Sequence, residues 1–228
     1  MKTNRVYLLG FMVLLLLSTA LMAQDQMTGS KDGMKFIVND PGKRDNVTFK
    51  SYAPLEDIIG YSNEISGYLV FDPSNPTKVG QGELTVPVKS LDTGIPVRNE
   101  HLQSAGWLNA EKYPNITLKI NSIKNIREIK GTLESATYDL TVLGDFTLMG
   151  KTNAVEFPAR VTYLKGTDAT KAKMPGDLLA ARASFSITLK DYGITGPEGM
   201  NIIGSKIGES IEIEVSIMGS TQLELKGK

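Results

Sequence analysis

Apolar and polar residues alternate with a period of two along most of this chain. In the clearest run, the apolar residues on one strand face are Ile211, Ile213, Val215 and Ile217, with glutamate or serine between them. Successive side chains of a β-strand point to opposite faces, so this period predicts half-buried antiparallel strands. Comparable runs, separated by turn residues, span residues 47–52, 65–71, 82–88, 116–120, 138–148, 155–163 and 180–189.

Eight or nine such strands in one continuous pattern predict a single all-β domain, built as a closed barrel or as a sandwich. Closure removes exposed strand edges, and we therefore expect an eight-stranded antiparallel barrel. The interior of a barrel of this size is either filled by side chains or holds one small ligand. The residues of the clearest run are then expected to face inward, either as ligand-lining residues or as ordinary core.

One stretch departs from the period of two. Pro96 suits the first position of a helix, where its missing N–H is not needed, and Gly106 suits the residue just beyond a helix end. We therefore predict a short helix from Pro96 to residue 105, with a further turn that ends before Pro114. This places a short helical segment near residues 96–113 of the barrel.

The first residues are typical of a secretory signal peptide. Two positive residues precede an uncharged apolar run over residues 6–17, and small residues follow. We predict a signal peptide over residues 1–23, cleaved after Ala20 or Ala23. The alternative is an uncleaved anchor over residues 6–23, which is barely long enough to span a bilayer.

Both alternatives place the folded part of the chain outside the cytoplasm, as a periplasmic or secreted protein. The strand pattern assigns residues 33–218 to the barrel domain and leaves residues 219–228 as a polar tail.

The composition excludes several classes of function. The chain has no cysteine and one histidine, which excludes disulfide scaffolds, thiolate chemistry and the usual zinc sites. Its 25 basic residues are balanced by 25 acidic ones, so we expect no nucleic-acid partner. There is no Gly-x-Ser-x-Gly elbow and no phosphate-binding Gly-Lys-Ser/Thr loop. We therefore predict a protein that is not an enzyme and has no metal and no catalytic cofactor.

An ordered series of short motifs runs through the predicted barrel. They are Gly-Tyr-Leu-Val-Phe-Asp at 67–72, Ser-Leu-Asp-Thr-Gly at 90–94, Arg-Asn-Glu-His-Leu at 98–102, Trp-Leu at 107–108, Lys-Tyr-Pro-Asn-Ile-Thr at 112–117 and Leu-Gly-Asp-Phe-Thr-Leu-Met-Gly-Lys-Thr at 143–152. Together with the strands at 186–194 and 208–213, they resemble the YceI family of polyisoprenoid-binding proteins. The resemblance covers about residues 33–218.

The resemblance implies a secreted, lipocalin-like eight-stranded barrel that encloses a polyprenol, a polyprenyl phosphate or an isoprenoid quinone as carrier, store or scavenger. Each buried methylene of such a ligand contributes roughly 0.8 kcal/mol, so no charged anchor is required. The bound lipid is then the only expected ligand, and both transient contact with a membrane surface and a dimer are left open. The alternative is a filled barrel that acts as an envelope structural or protein-interaction module.

Residues of the helical segment are candidates for the mouth of such a barrel. Arg98 and His101 are three residues apart, share a helix face and are candidate head-group ligands. Their alternative role is to bond loop carbonyls and Asp92, fixing the helix in place. The candidate apolar lid residues, which serve equally as a plug of the barrel end, are Leu102, Trp107, Leu108 and Tyr113.

Overall fold

The computed structural model of the protein describes residues 33–132, 134–197, 199 and 201–225. The predicted signal peptide therefore lies outside the described residues. Within these ranges, no helix combines the length and the apolar character needed to cross a membrane.

The described residues form ten strands and two short α-helices. The strands are β1 (Met34–Val38), β2 (Asn46–Tyr52), β3 (Asp57–Ser62), β4 (Ser66–Phe71), β5 (Gly80–Pro87), β6 (Asn115–Gly131), β7 (Ser135–Leu148), β8 (Lys151–Leu164), β9 (Leu178–Thr188) and β10 (Ser210–Ser220). The helices are α1 (Pro96–Gln103) and α2 (Asp168–Lys171), and single 3₁₀ turns cover Val88–Ser90 and Leu189–Tyr192.

Eight strands close into an antiparallel barrel in the order β1, β4, β5, β6, β7, β8, β9, β10. Closure is made where Ile37 of β1 pairs with Ser220 of β10. Beyond that point, β10 pairs instead with β2, which carries β3 on its other edge. The predicted fold class is confirmed. We call the end of the barrel where β2 ends and β10 begins the mouth.

The period of two places the predicted side chains inside the barrel. Ile213 and Ile217 are buried, and Ile211 and Val215 pack against the same core. β7 alternates almost perfectly between buried and half-buried residues, because successive side chains point alternately into the barrel and away from it. The end opposite the mouth is closed by tightly packed side chains, among them Phe36, Val38, Leu178 and Leu179, each at most 2% exposed.

Two boundaries differ from the sequence-based expectation. The helix begins at Pro96, as predicted, but ends at Gln103, and the hydroxyl of Ser104 caps it by donating to the carbonyl of His101 at 2.7 Å. Gly106 therefore does not end the helix. β10 continues through Gly219 and Ser220, which lie in the segment assigned to the polar tail, and both are buried.

The connection between β1 and β2 holds two aspartates in contrasting surroundings. Both carboxylate oxygens of Asp40 accept hydrogen bonds from the Arg44 guanidinium at 2.7 Å. Oδ1 of Asp45 accepts from the backbone N–H of Met218 at 2.8 Å. Its Oδ2 is the one buried side-chain polar atom that lacks a hydrogen-bond partner among the described residues.

Asp40 and Asp45 consequently titrate in opposite directions. The Arg44 hydrogen bonds hold the pKa of Asp40 well below its usual range. Burial raises the pKa of Asp45 to about 6.

We expect Asp45 to lower the free energy of unfolding as the pH rises from about 4 to about 6. In this window the native state holds a proton on Asp45 that the unfolded chain has released. The free energy of unfolding therefore falls by up to about 3 kcal/mol across the window. Urea denaturation of wild type and Asp45→Asn at a series of pH values measures the effect. The stability difference between the two should change across this window and stay constant above it; a difference independent of pH would contradict the buried carboxyl. Asp40 contributes to the free energy of unfolding in the opposite sense, because protonation of its carboxylate at a pH below this window removes stability. Both proteins contain Asp40, so its contribution cancels in the comparison.

Candidate ligand-binding cavity

The half of the barrel next to the mouth encloses a cavity of about 500 Å³. This volume lies within the range of about 300–1,000 Å³ that is usual for small-molecule sites. Its wall is formed by inward-facing apolar side chains of β2, β3, β5, β6, β7, β9 and β10. Representative wall residues are Val47, Phe49, Val86, Leu118, Ile187 and Ile213.

Several of these inward-facing residues are only half-buried. Phe49, Ile116, Phe185 and Ile211 belong to the wall, yet each keeps part of its surface accessible because one side faces the cavity. The side chains that the structure describes therefore do not fill this half of the barrel.

A second cavity of about 70 Å³ continues toward the closed end. Leu84, Leu118 and Val215 line both cavities, and we call these three residues the neck. Below the neck, the small side chains of Ala159, Ala181 and Ala183 leave this space open. The two cavities are therefore adjacent, and a ligand tail long enough to pass the neck would follow a mostly apolar path from the mouth into the barrel.

Aromatic side chains pack into the wall beside this path. The rings of Phe157 and Phe185 stack with centroids 4.5 Å apart and an interplanar angle of 16°. Phe146 meets Phe185 edge-on at 5.6 Å and Tyr192 at 5.8 Å. Such pairs are worth about 0.5–1.5 kcal/mol beyond their area burial, so they stabilise this side of the wall.

The predicted lid residues take different positions. Trp107 and Leu108 are buried, Leu102 is half-buried, and all three line the cavity. Tyr113 is not among the lining residues; its ring lies against the backbone of Gly150, in the β7–β8 turn. Of the predicted β10 residues, Ile211, Ile213 and Val215 line the larger cavity and Ile217 lines the smaller one.

The loop between the second 3₁₀ turn and β10 also covers the mouth. Ile194, Ile202 and Ile207 of this loop line the cavity and were not predicted as site residues. The Trp107 ring lies against Gly196 of the loop, where a Cβ would come within 3.4 Å of the indole. The only feature of the sequence that indicated these lining residues was the presence of isoleucines in a segment otherwise rich in turn residues.

Charged groups of the cavity come from loops and the helix at the mouth. The Arg98 guanidinium forms a salt bridge with Glu56 of the β2–β3 loop, and both residues line the cavity. His101, an exposed residue, and Lys206 line it as well. Asp92, the side chain expected as an alternative partner of Arg98, is bonded instead by Asn99, which donates from Nδ2 at 2.8 Å. The salt bridge with Glu56 is compatible with both expected roles of Arg98, as a head-group ligand and as a residue that fixes the helix.

Asp92 is therefore a structural anchor of the helix. The hydrogen bond from Asn99 and one from the backbone N–H of Gly94 at 2.8 Å hold the pKa of Asp92 below its usual range. Asn99 also accepts from the backbone N–H of Thr93 at 2.8 Å. Arg98 and His101 are left facing the cavity mouth.

No group of three or more His, Asp or Glu side chains lies within metal-binding reach in the part of the chain that the structure describes. What the arrangement offers chemically is an apolar enclosure with two cationic side chains, a carboxylate and an imidazole at its entrance.

Comparison with known proteins gives concordant matches. The YceI-like domain family matches residues 40–218 of this chain. Protein YceI of Salmonella newport is 28% identical over 223 residues, which cover 97% of this chain and 100% of that protein. BcnA of Burkholderia cenocepacia has a TM-score of 0.60 at 19% identity, covering 79% of this chain and 99% of its own. A polyisoprenoid binding domain from Saccharophagus degradans, implicated in plant cell wall breakdown, has a TM-score of 0.59 at 13% identity. The match covers 82% of this chain and 98% of that domain's chain.

At these identities the two solved structures show a shared barrel fold. The family match spans nearly all of the barrel and includes every motif on which the sequence resemblance was based. The chain belongs to the YceI-like domain family.

Proposed function

We propose that this protein encloses the tail of an amphiphilic polyisoprenoid (a polyprenol, a polyprenyl phosphate or an isoprenoid quinone) and acts outside the cytoplasm as its carrier, store or scavenger. The observation that carries the proposal is the apolar lining of the larger cavity, whose charged side chains come only from the loops and the helix at the mouth. A ligand with one long apolar tail and one polar end matches this arrangement. The polyisoprenoid binding domain from Saccharophagus degradans supports the choice of ligand class.

The energetics favour a tail of several isoprene units. At roughly 0.8 kcal/mol per buried carbon, each five-carbon unit contributes about 4 kcal/mol. Association itself opposes binding by about 4 kcal/mol or more. About three buried units then leave roughly 8 kcal/mol, which corresponds to micromolar affinity.

The alternative of a filled barrel is not favoured. A filled barrel interior is packed nearly as densely as a crystal of small organic molecules, with few voids larger than a water molecule. The side chains that the structure describes leave about 500 Å³ next to the mouth.

A binding role is also favoured over catalysis, because the lining is apolar and its single imidazole belongs to an exposed residue at the entrance.

Fluorescence of Trp107 tests the proposed binding directly. Trp107 is the single tryptophan of the chain, is buried, and lines the cavity. We expect its emission to shift or to be quenched, with saturation, when a polyprenol of about four isoprene units is added. Isoprenoid quinones should quench it more strongly, because the quinone ring accepts excitation energy near the mouth. An unchanged emission spectrum, together with no heat of binding in calorimetry, would overturn the proposal.

The Arg98–Glu56 salt bridge predicts how the mouth treats a phosphate head group. Arg98→Ala should weaken binding of a polyprenyl phosphate by about tenfold or more, since a charge-assisted hydrogen bond is lost. Binding of the matching polyprenol should hardly change. Glu56→Gln frees Arg98 and should strengthen phosphate binding by a few-fold.

Calorimetric titration of both ligands into the three proteins gives the required ratios. Equal losses for phosphate and alcohol in Arg98→Ala would show that Arg98 only holds the helix against the β2–β3 loop.

A further inference from the structure

Strongly exposed apolar side chains are concentrated beside the mouth. Eight large apolar residues in the described ranges are at least 42% exposed, and six of them belong to the β2–β3 hairpin and the start of α1. Solitary exposed apolar residues are ordinary, but a contiguous group marks a contact surface. We call the six residues the apolar rim: Tyr52, Leu55, Ile59, Tyr61, Ile95 and Val97.

The two segments of the apolar rim are held side by side. The backbone of Tyr61 exchanges hydrogen bonds of 2.8 and 2.9 Å with the backbone of Asp92, which directly precedes the α1 segment. The salt bridge between Arg98 and Glu56 joins the same segments nearer the mouth. The rim is therefore one surface.

This surface is continuous with the cavity entrance. Ile58 lines the cavity while its neighbour Ile59 is 55% exposed on the outside of the same strand. In the same way, Arg98 lines the cavity beside the exposed Val97. A tail that enters or leaves the barrel passes next to the rim.

The charges of the two segments indicate which force would hold this surface to a partner. Lys50 pairs with Glu214 at 2.8 Å, and Arg98 pairs with Glu56. The remaining charged residues of segments 50–61 and 92–100 are acidic, namely Asp57, Asp92 and Glu100. Lys206, next to the Ser205 carbonyl that accepts from the backbone N–H of Leu55, is a further nearby cation. Even with Lys206, the three acids leave no cationic excess to attract anionic lipid head groups, whereas two tyrosines and four aliphatic residues suit insertion at a bilayer interface.

We propose that the apolar rim inserts into the interface of a zwitterionic bilayer and places the barrel mouth against the membrane. The purpose of this contact rests on the proposed function, since a carrier of a membrane lipid must meet its ligand there. A second copy of the chain is the less favoured occupant, because a stable dimer across the rim would cover the entrance that the ligand needs.

Flotation with phosphatidylcholine vesicles tests this proposal. The protein is purified from the periplasm or the medium of the expressing cells. Wild type should float with the vesicles, and high salt should not release it because the contact is apolar. Leu55→Asp combined with Val97→Asp should lower the partition coefficient by at least about tenfold. The matched control is Ile129→Asp, a comparably exposed isoleucine on β6 toward the closed end, which should float like wild type.

Three results would overturn the proposal: wild type that stays with the soluble fraction, binding that requires phosphatidylglycerol and disappears in high salt, or a dimer that Leu55→Asp converts to a monomer. The Trp107 titration with a short polyprenol is run on the same variants. A rim variant that binds the polyprenol normally but does not float supports the membrane surface, whereas loss of polyprenol binding in wild type counts against the proposed function instead.

Discussion

Val215→Trp should reduce affinity for long-tail polyisoprenoids by about a hundredfold. Val215 belongs to the neck, which lines both cavities, and it is half-buried because one side faces the open space. An indole at this position blocks the path and displaces about four ligand carbons, which removes roughly 3 kcal/mol of apolar burial. Short prenols that lie wholly above the neck should lose much less.

Isothermal titration calorimetry measures this effect without interference from the added tryptophan. The matched control is Ser216→Trp, because Ser216 is the next residue of β10, is exposed, and points to the outer face. Binding that is equal in the two variants would contradict a ligand path through the neck.

Gly67→Ala should destabilise the fold by about 3–5 kcal/mol, a large share of the 5–15 kcal/mol that stabilises a typical domain. Gly67 has φ of +147°, and a Cβ on it would overlap the backbone carbonyl oxygen of Glu83 on β5. The backbone strain and the displacement of a paired strand both oppose folding.

Gly94→Ala is the matched control. Gly94 also has a positive φ, +74°, but a Cβ added to it would meet no other atom within 4 Å. The free energy of unfolding of Gly94→Ala should fall by only about 1–2 kcal/mol, because backbone strain alone opposes the substitution. Urea denaturation curves of the two variants and wild type give the comparison, and equal losses would contradict the close approach of β4 and β5.

The sequence predicted the parts of the fold that follow local rules. The inward face of β10 was readable because a strand with one buried face alternates strictly, and the start of α1 was readable because of Pro96. β3 was missed because Ile58 and Ile59 are adjacent and both apolar, although only Ile58 faces inward. The exposed member of that pair belongs to the apolar rim, so the failure of the pattern coincides with a candidate contact surface.

The far half of β6 was missed for a different reason. Its pairing with β7 shifts register at three places between Ile120 and Lys130, and each shift breaks the alternation. β1 is only five residues long and was too short to stand out.

The candidate site was predictable in its strands and less so in its loops. Arg98 and His101 were placed at the mouth by the family motif, but the partner of Arg98 is Glu56, which is 42 residues away in the sequence. Ile194, Ile202 and Ile207 reach the cavity only because their loop folds over the mouth. Long-range pairing of this kind leaves no periodic signal in a single sequence.

Organic extraction of the purified protein, followed by mass spectrometry, tests the central claim most directly. We expect one polyisoprenoid species at about one molecule per chain from wild type and from Ser216→Trp, and a strongly reduced amount from Val215→Trp, because only the last substitution blocks the apolar path. An extract of wild type that contains no isoprenoid, or equal amounts from all three proteins, would contradict the account.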